Sequence, residues 1–121
     1  MKLARVGNPD KEKPIIIDKD NNYRDVSSVI KDFNSDNLNF ETLEKLKNIK
    51  PEDLPILDKN QRIGACVNKP SKFIGIGLNF KDHAIEQNMP IPKEPIIFSK
   101  FTNSVSGPND DIVIPKNSNH T

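Results

Sequence analysis

One cysteine, no long apolar run and no excess of either charge in 121 residues exclude several classes at once. A single thiol, Cys66, cannot form an internal disulfide and suits a reducing compartment. It reads as a small apolar filler rather than a nucleophile, because no histidine lies near it in sequence. No run approaches the roughly 20 apolar residues of a membrane span. The opening "MKLARVGNPDKEKP" lacks the apolar stretch of a signal peptide. Charge of one sign is missing too. With 18 basic and 17 acidic residues the net charge is +1, which removes the basic footprint of a nucleic-acid binder and the acidic tail of a solvating chain. The expectation is a cytoplasmic globular chain with no nucleic-acid partner and no membrane partner.

What is there divides at Pro70. Before it, Lys2 to Val6 alternates as a half-buried strand does, and Pro14 to Asp18 is β-branched and apolar. Tyr23 to Val26 supplies a short third strand, so the three predict an antiparallel meander. Val26, Val29, Ile30 and Phe33 then fall at helical spacing. Asn39 is placed to cap a second helix reaching Asn48 and burying Phe40, Leu43 and Leu46. Prolines 51 and 55 limit the next stretch to a turn or one helical turn. Arg62 to Cys66 predicts a further short strand. The fold class expected is α+β, with a small domain over residues 1–70 and the start of a second over residues 71–121.

The second part opens with "FIGIGLNFKDHAIEQN". Phe73 to Gly77 reads as a strand, and with Ile97 and Phe98 as part of a sheet buried on both faces. Asn79 can cap a short helix over Phe80 to Gln87, with Asp82 as an acidic variant of the capping box. His83, Glu86 and Gln87 then share one helical face. A carboxylate that holds an imidazole fixes its tautomer and stabilises its charged form, which makes a competent general base near neutral pH. The same spacing also makes an ordinary surface pair worth at most about 0.5 kcal/mol, and on spacing alone that is the commoner use. Two ligands are not a metal site. Gly75 and Gly77 lack the third glycine of a dinucleotide loop. A short apolar strand over Ile112 to Ile114 closes the pattern.

The order of these pieces is more specific than any one of them. Gly77-Leu78-Asn79-Phe80, Asp82-His83-Ala84-Ile85-Glu86, the prolines from Pro90 on with Phe98 and Lys100, and Gly107-Pro108-Asn109-Asp110 leading to Pro115 resemble the opening of the catalytic domain of the fumarylacetoacetate hydrolase family. The first seventy residues, with "MKLARVG", "YRDVSSVI" and "PEDLPIL", are similar to the small N-terminal domain of its bacterial members. Leu78 stands where the acylpyruvase subgroup often has arginine, so the resemblance leans to the subgroup labelled ureidoglycolate lyase or 2-hydroxyhepta-2,4-diene-1,7-dioate isomerase. Phe80 stands where the family usually has tyrosine.

The resemblance implies a mixed β-roll begun at residue 71 and cut at Thr121. It implies an enzyme that acts on 2-oxo or diketo acids by C–C hydrolysis, isomerisation, decarboxylation or lyase chemistry. His83 and Glu86 are the implied catalytic pair on a lid helix, and Asn79 and Lys100 the implied substrate-binding residues. The implied cofactor is Mg2+ or Mn2+, held by three carboxylates beyond Thr121, so no metal ligand is assigned within the chain. The whole enzyme is expected to take a small carboxylate substrate and to form a homodimer, and the 121-residue chain alone is expected to be inactive. The competing reading is a non-catalytic fragment or an interaction module.

Overall fold

The computed structural model describes residues 1–118. The chain divides into two compact units, Met1–Asn68 with the stretch that begins at Ser106, and Lys69–Val105. Secondary structure is mixed, with short antiparallel sheets and two helices, so the α+β class holds.

In the first unit, β1 (Lys2–Val6), β2 (Lys13–Ile17), β3 (Tyr23–Asp25) and β4 (Ile56–Leu57) form one sheet in that order, and every pairing is antiparallel. The register sets Leu3 opposite Ile16 and Ala4 opposite Ile15. Because side chains alternate across a strand, the sheet serves two apolar clusters, one on each face. Ile16 joins Val26, Ile30, Phe33, Leu46 and Leu54 on one side. Ala4, Val6 and Ile15 gather on the other, with Ile63 and Leu57 packed against them. Arg5 falls on the same strand face as Leu3 and is buried.

Helix α1 (Phe40–Lys47) begins where expected, and the Asn39 side chain accepts a hydrogen bond from the Thr42 amide at 2.9 Å. It buries Leu46 alone, however, and Phe40 is 89% exposed rather than part of the core. The helix expected over Val26 to Phe33 is not formed. Asp25 accepts from the Ser27 amide at 2.8 Å, and Ile30 closes a single turn onto the Val26 carbonyl at 3.0 Å. A turn suffices to bury Val26, Ile30 and Phe33, so their spacing mimicked a helix without making one. Pro51–Asp53 forms a single 3-10 turn. The strand expected over Arg62 to Cys66 reduces to one bridge, between Val6 and Ile63. Cys66 is exposed, which corrects its reading as a core filler.

In the second unit, β5 (Ile74–Gly77) pairs antiparallel with β6 (Ile96–Ser99), and α2 (Lys81–Glu86) lies between them in sequence. The strand at Phe73 to Gly77 is therefore present apart from its first residue. Its burial is not: Ile74, Ile76 and Phe98 are exposed and Ile97 is 68% so. Two strands of four residues cannot cover their own faces. Ile112 to Ile114 forms no strand, and Ile112 is 95% exposed. No helix among the described residues is long and apolar enough to cross a membrane.

Candidate functional site

The second unit carries the sequence-predicted residues. Gly75 faces Phe98 across the sheet, and a Cβ on Gly75 would run into the Phe98 ring, so the glycine makes room for the aromatic. The strand ends at Gly77, and Leu78 turns the chain with φ of 47°. A leucine in left-handed backbone costs roughly 1–2 kcal/mol, which surrounding structure must offset. This turn delays the helix. Phe80, not Asn79, occupies the N-cap position, and no side chain caps α2, which corrects the assignment of Asn79 as the cap.

Ala84 is fully buried, while the helix presents His83 and Glu86 outward, 53% and 75% exposed. The His83 Nδ1 lies 3.6 Å from Glu86 Oε2. That is just beyond hydrogen-bond length, and both side chains are exposed enough to close the gap by a small rotation. No hydrogen bond engages the His83 ring among the described residues. With Glu86 beside Nδ1, Nε2 is the atom left to take or give a proton.

Asn79 lines a separate open cavity of about 310 Å³ in the same unit. Ile76, Leu78 and Ile91 give it apolar walls, and Lys81 and Glu94 add charge. A lysine and an amide beside apolar walls can seat a small carboxylate. His83 and Glu86 lie outside those walls. Lys100 is elsewhere engaged: its amide donates to the Phe73 carbonyl at 2.8 Å, and its ammonium rests 5.6 Å from the Phe73 ring centroid and 6.0 Å from that of Phe98. The structure thus joins His83 to Glu86, and no hydrogen bond or ion pair ties Asn79 or Lys100 to them among the described residues.

Among those residues no group of three or more histidine, cysteine, aspartate or glutamate side chains is placed to hold a metal ion. The donors present do not fit a divalent cation, which takes several oxygen ligands at once.

The densest charge cluster is in the first unit, and sequence reasoning missed it. Arg5, 4% exposed, donates to Asp32 through Nε at 2.6 Å and a terminal nitrogen at 3.0 Å, and reaches Glu12 at 3.4 Å. Arg62 donates to Glu12 at 2.8 Å and clasps both oxygens of Asp110 at 2.6 Å. Burial pushes the Glu12 and Asp32 carboxyls up, but the arginines and nearby amides outweigh it and hold both below the usual range. The Arg62 fork and the Gly107 amide do the same for Asp110. Residues this far apart carry no periodic signature that would reveal the cluster.

Residues 72–121 match the family described as Fumarylacetoacetate (FAA) hydrolase C-terminal. The chain is 51% identical over 118 residues to a protein of Burkholderia multivorans and to one of Burkholderia ambifaria, both named only provisionally, as hydrolases. Each match covers 98% of this chain and 42% of the relative, so the chain spans about two fifths of the length of the curated relatives it matches.

Proposed function

We propose that the chain is the N-terminal part of a fumarylacetoacetate hydrolase-type enzyme, in which His83 and Glu86 form the acid–base dyad. The observation that carries this is the 3.6 Å approach of His83 Nδ1 to Glu86 Oε2 on a helix that follows a glycine-containing strand, inside the residues that match the family. The hydrolase names of the relatives support the reaction class.

In this reading Glu86 orients the imidazole and stabilises its charged form, and Nε2 of His83 moves a proton or activates water for attack on a carbonyl. Asn79, with Lys81 beside it, contacts the carboxylate of a 2-oxo or diketo acid, and Lys100 supplies further positive charge. The ureidoglycolate lyase or heptadiene-dioate isomerase subgroup is the finer assignment. Mg2+ or Mn2+ would be held by carboxylates beyond Thr121 and would stabilise developing negative charge on the substrate. The working assembly is a cytoplasmic homodimer.

The test uses the whole protein, extended to the length of the relatives, on a panel of acylpyruvates, oxaloacetate, ureidoglycolate and the heptadiene dioate. His83→Ala and Glu86→Ala should each lower turnover by roughly 10²- to 10⁴-fold, the range for a lost general base. The double variant should fall little further, since the two act as one unit. Near wild-type turnover in both single variants would leave only a surface helix pair.

A further inference from the structure

The chain leaves the first unit after Asn68 and rejoins it at Ser106. Everything between, including α2, is an excursion with two necks. Both necks are fixed by hydrogen bonds to charged groups of the first unit, and the groups are not separate.

At the outgoing neck, the Asn68 amide donates to the Phe33 carbonyl at 2.7 Å, and its side-chain nitrogen donates to Asp32 Oδ2 at 2.8 Å. At the returning neck, the Gly107 amide donates to Asp110 Oδ2 at 2.6 Å, and Arg62 grips both oxygens of that carboxylate. Gly107 is seated so closely on the Ile63 carbonyl that a Cβ there would collide with it. Between the necks runs an unbroken series of contacts: Asp32 to Arg5, Arg5 to Glu12, Glu12 to Arg62, and Arg62 to Asp110. Two arginines serve three carboxylates. When one member goes, its neighbour keeps a charge that is poorly compensated in a partly buried setting, and it must find another partner. Members of one ion-pair network therefore do not act independently.

We propose that this network is a shared clasp that couples the two necks, so that the excursion over residues 69–105 is held, and released, at both ends together. The clasp residues all belong to the first unit. The coupling does not depend on the dyad being catalytic.

The test is residue-resolved amide exchange by NMR on the 121-residue chain at fixed pH. Asp110→Asn should speed exchange at Gly107. Through the network it should also speed exchange at Asn68, by roughly 2- to 100-fold, the range of coupling within such networks. The amides of β1 and β2 should keep their protection. Asp32→Asn should show the reverse transmission, from Asn68 to Gly107. In a Glu12→Gln background, which removes the middle charge, the distant effect of Asp110→Asn should disappear while its local effect stays. If Asp110→Asn speeds Gly107 alone, or if Glu12→Gln leaves the distant effect intact, the necks are independent and the clasp is refuted. Should a variant also strip protection from β1 and β2, Arg62→Lys decides instead, because it keeps the charge and removes only the fork. The same two amides are read, and loosening of Gly107 without Asn68 refutes the coupling.

Discussion

Arg62 and Asp110 stand 48 residues apart in the chain and meet through two parallel hydrogen bonds, each 2.6 Å long. The fork matches the planar guanidinium to both carboxylate oxygens, a geometry lysine cannot reproduce. It attaches the returning segment to the first unit, and it places Asp110 in the same network as Glu12 and Asp32.

Acid should therefore loosen the first unit. Glu12, with an ordinary value of 4.5, and Asp32 and Asp110, with ordinary values of 3.8, are all held lower in the folded chain. The unfolded chain then takes up protons first as pH falls. The stability they add is fully present above the ordinary values and is lost as pH drops through them toward the folded values. Urea midpoints measured at pH 7, 5, 4 and 3 should hold steady to about pH 5 and then fall. Asp110→Asn should flatten that decline, and a wild-type midpoint unchanged down to pH 3 would contradict it.

Arg5→Met should cost about 3–5 kcal/mol, the usual loss when one partner of a buried pair is removed. The methionine fills part of the space, but Asp32 and Glu12 keep their charges without the guanidinium between them. Equilibrium urea unfolding reads this directly. A loss under about 1 kcal/mol, typical of an exposed pair, would show that Arg5 is better solvated than its burial indicates.

Two phenylalanines with one sequence reading should part in experiment. Phe33 is almost fully buried in the larger cluster, and Phe33→Ala should cost about 3–5 kcal/mol. Phe40 is exposed, and Phe40→Ala should stay within about 0.5 kcal/mol. Thermal or urea denaturation of the pair settles it, and equal losses would place Phe40 in the core after all.

The 121-residue chain should show no stoichiometric Mg2+ or Mn2+ binding, since its described residues bring no oxygen cluster together. Titration calorimetry is the measurement, and a one-to-one micromolar site would overturn the expectation.

What could be read from the sequence was local. Alternation in β1 and the β-branched run of β2 announced the meander, and Asn39 announced the start of α1. Each of these rests on neighbours within four residues. The failures were patterns that fitted more than one local structure or lacked a partner. Val26 to Phe33 kept helical spacing, but a turn held by Asp25 buried the same side chains. Ile112 to Ile114 had strand-like residues but pair with no strand among the described residues. Asn79 had the chemistry of a cap, but the left-handed turn at Leu78 moved the helix start beyond its reach. At the candidate site, the His83–Glu86 approach followed from helical geometry alone. The cavity at Asn79 needed the return of residues 91–95, which no spacing rule supplies.

The separation of Arg62 from Asp110 also sets a timetable for synthesis. A ribosome adds roughly 5–20 residues per second, so Arg62 is joined to the chain several seconds before Asp110 is. Until Asp110 and Gly107 follow, Glu12 is the one carboxylate of the network that Arg62 can meet, and the Ile63 carbonyl lacks its close neighbour. The meander can form early, but the nascent first unit finishes only after the whole excursion has been made. A chain that ends between residues 69 and 105 would lack the segment that completes the first unit, and the surface around Ile63 would stay unfinished.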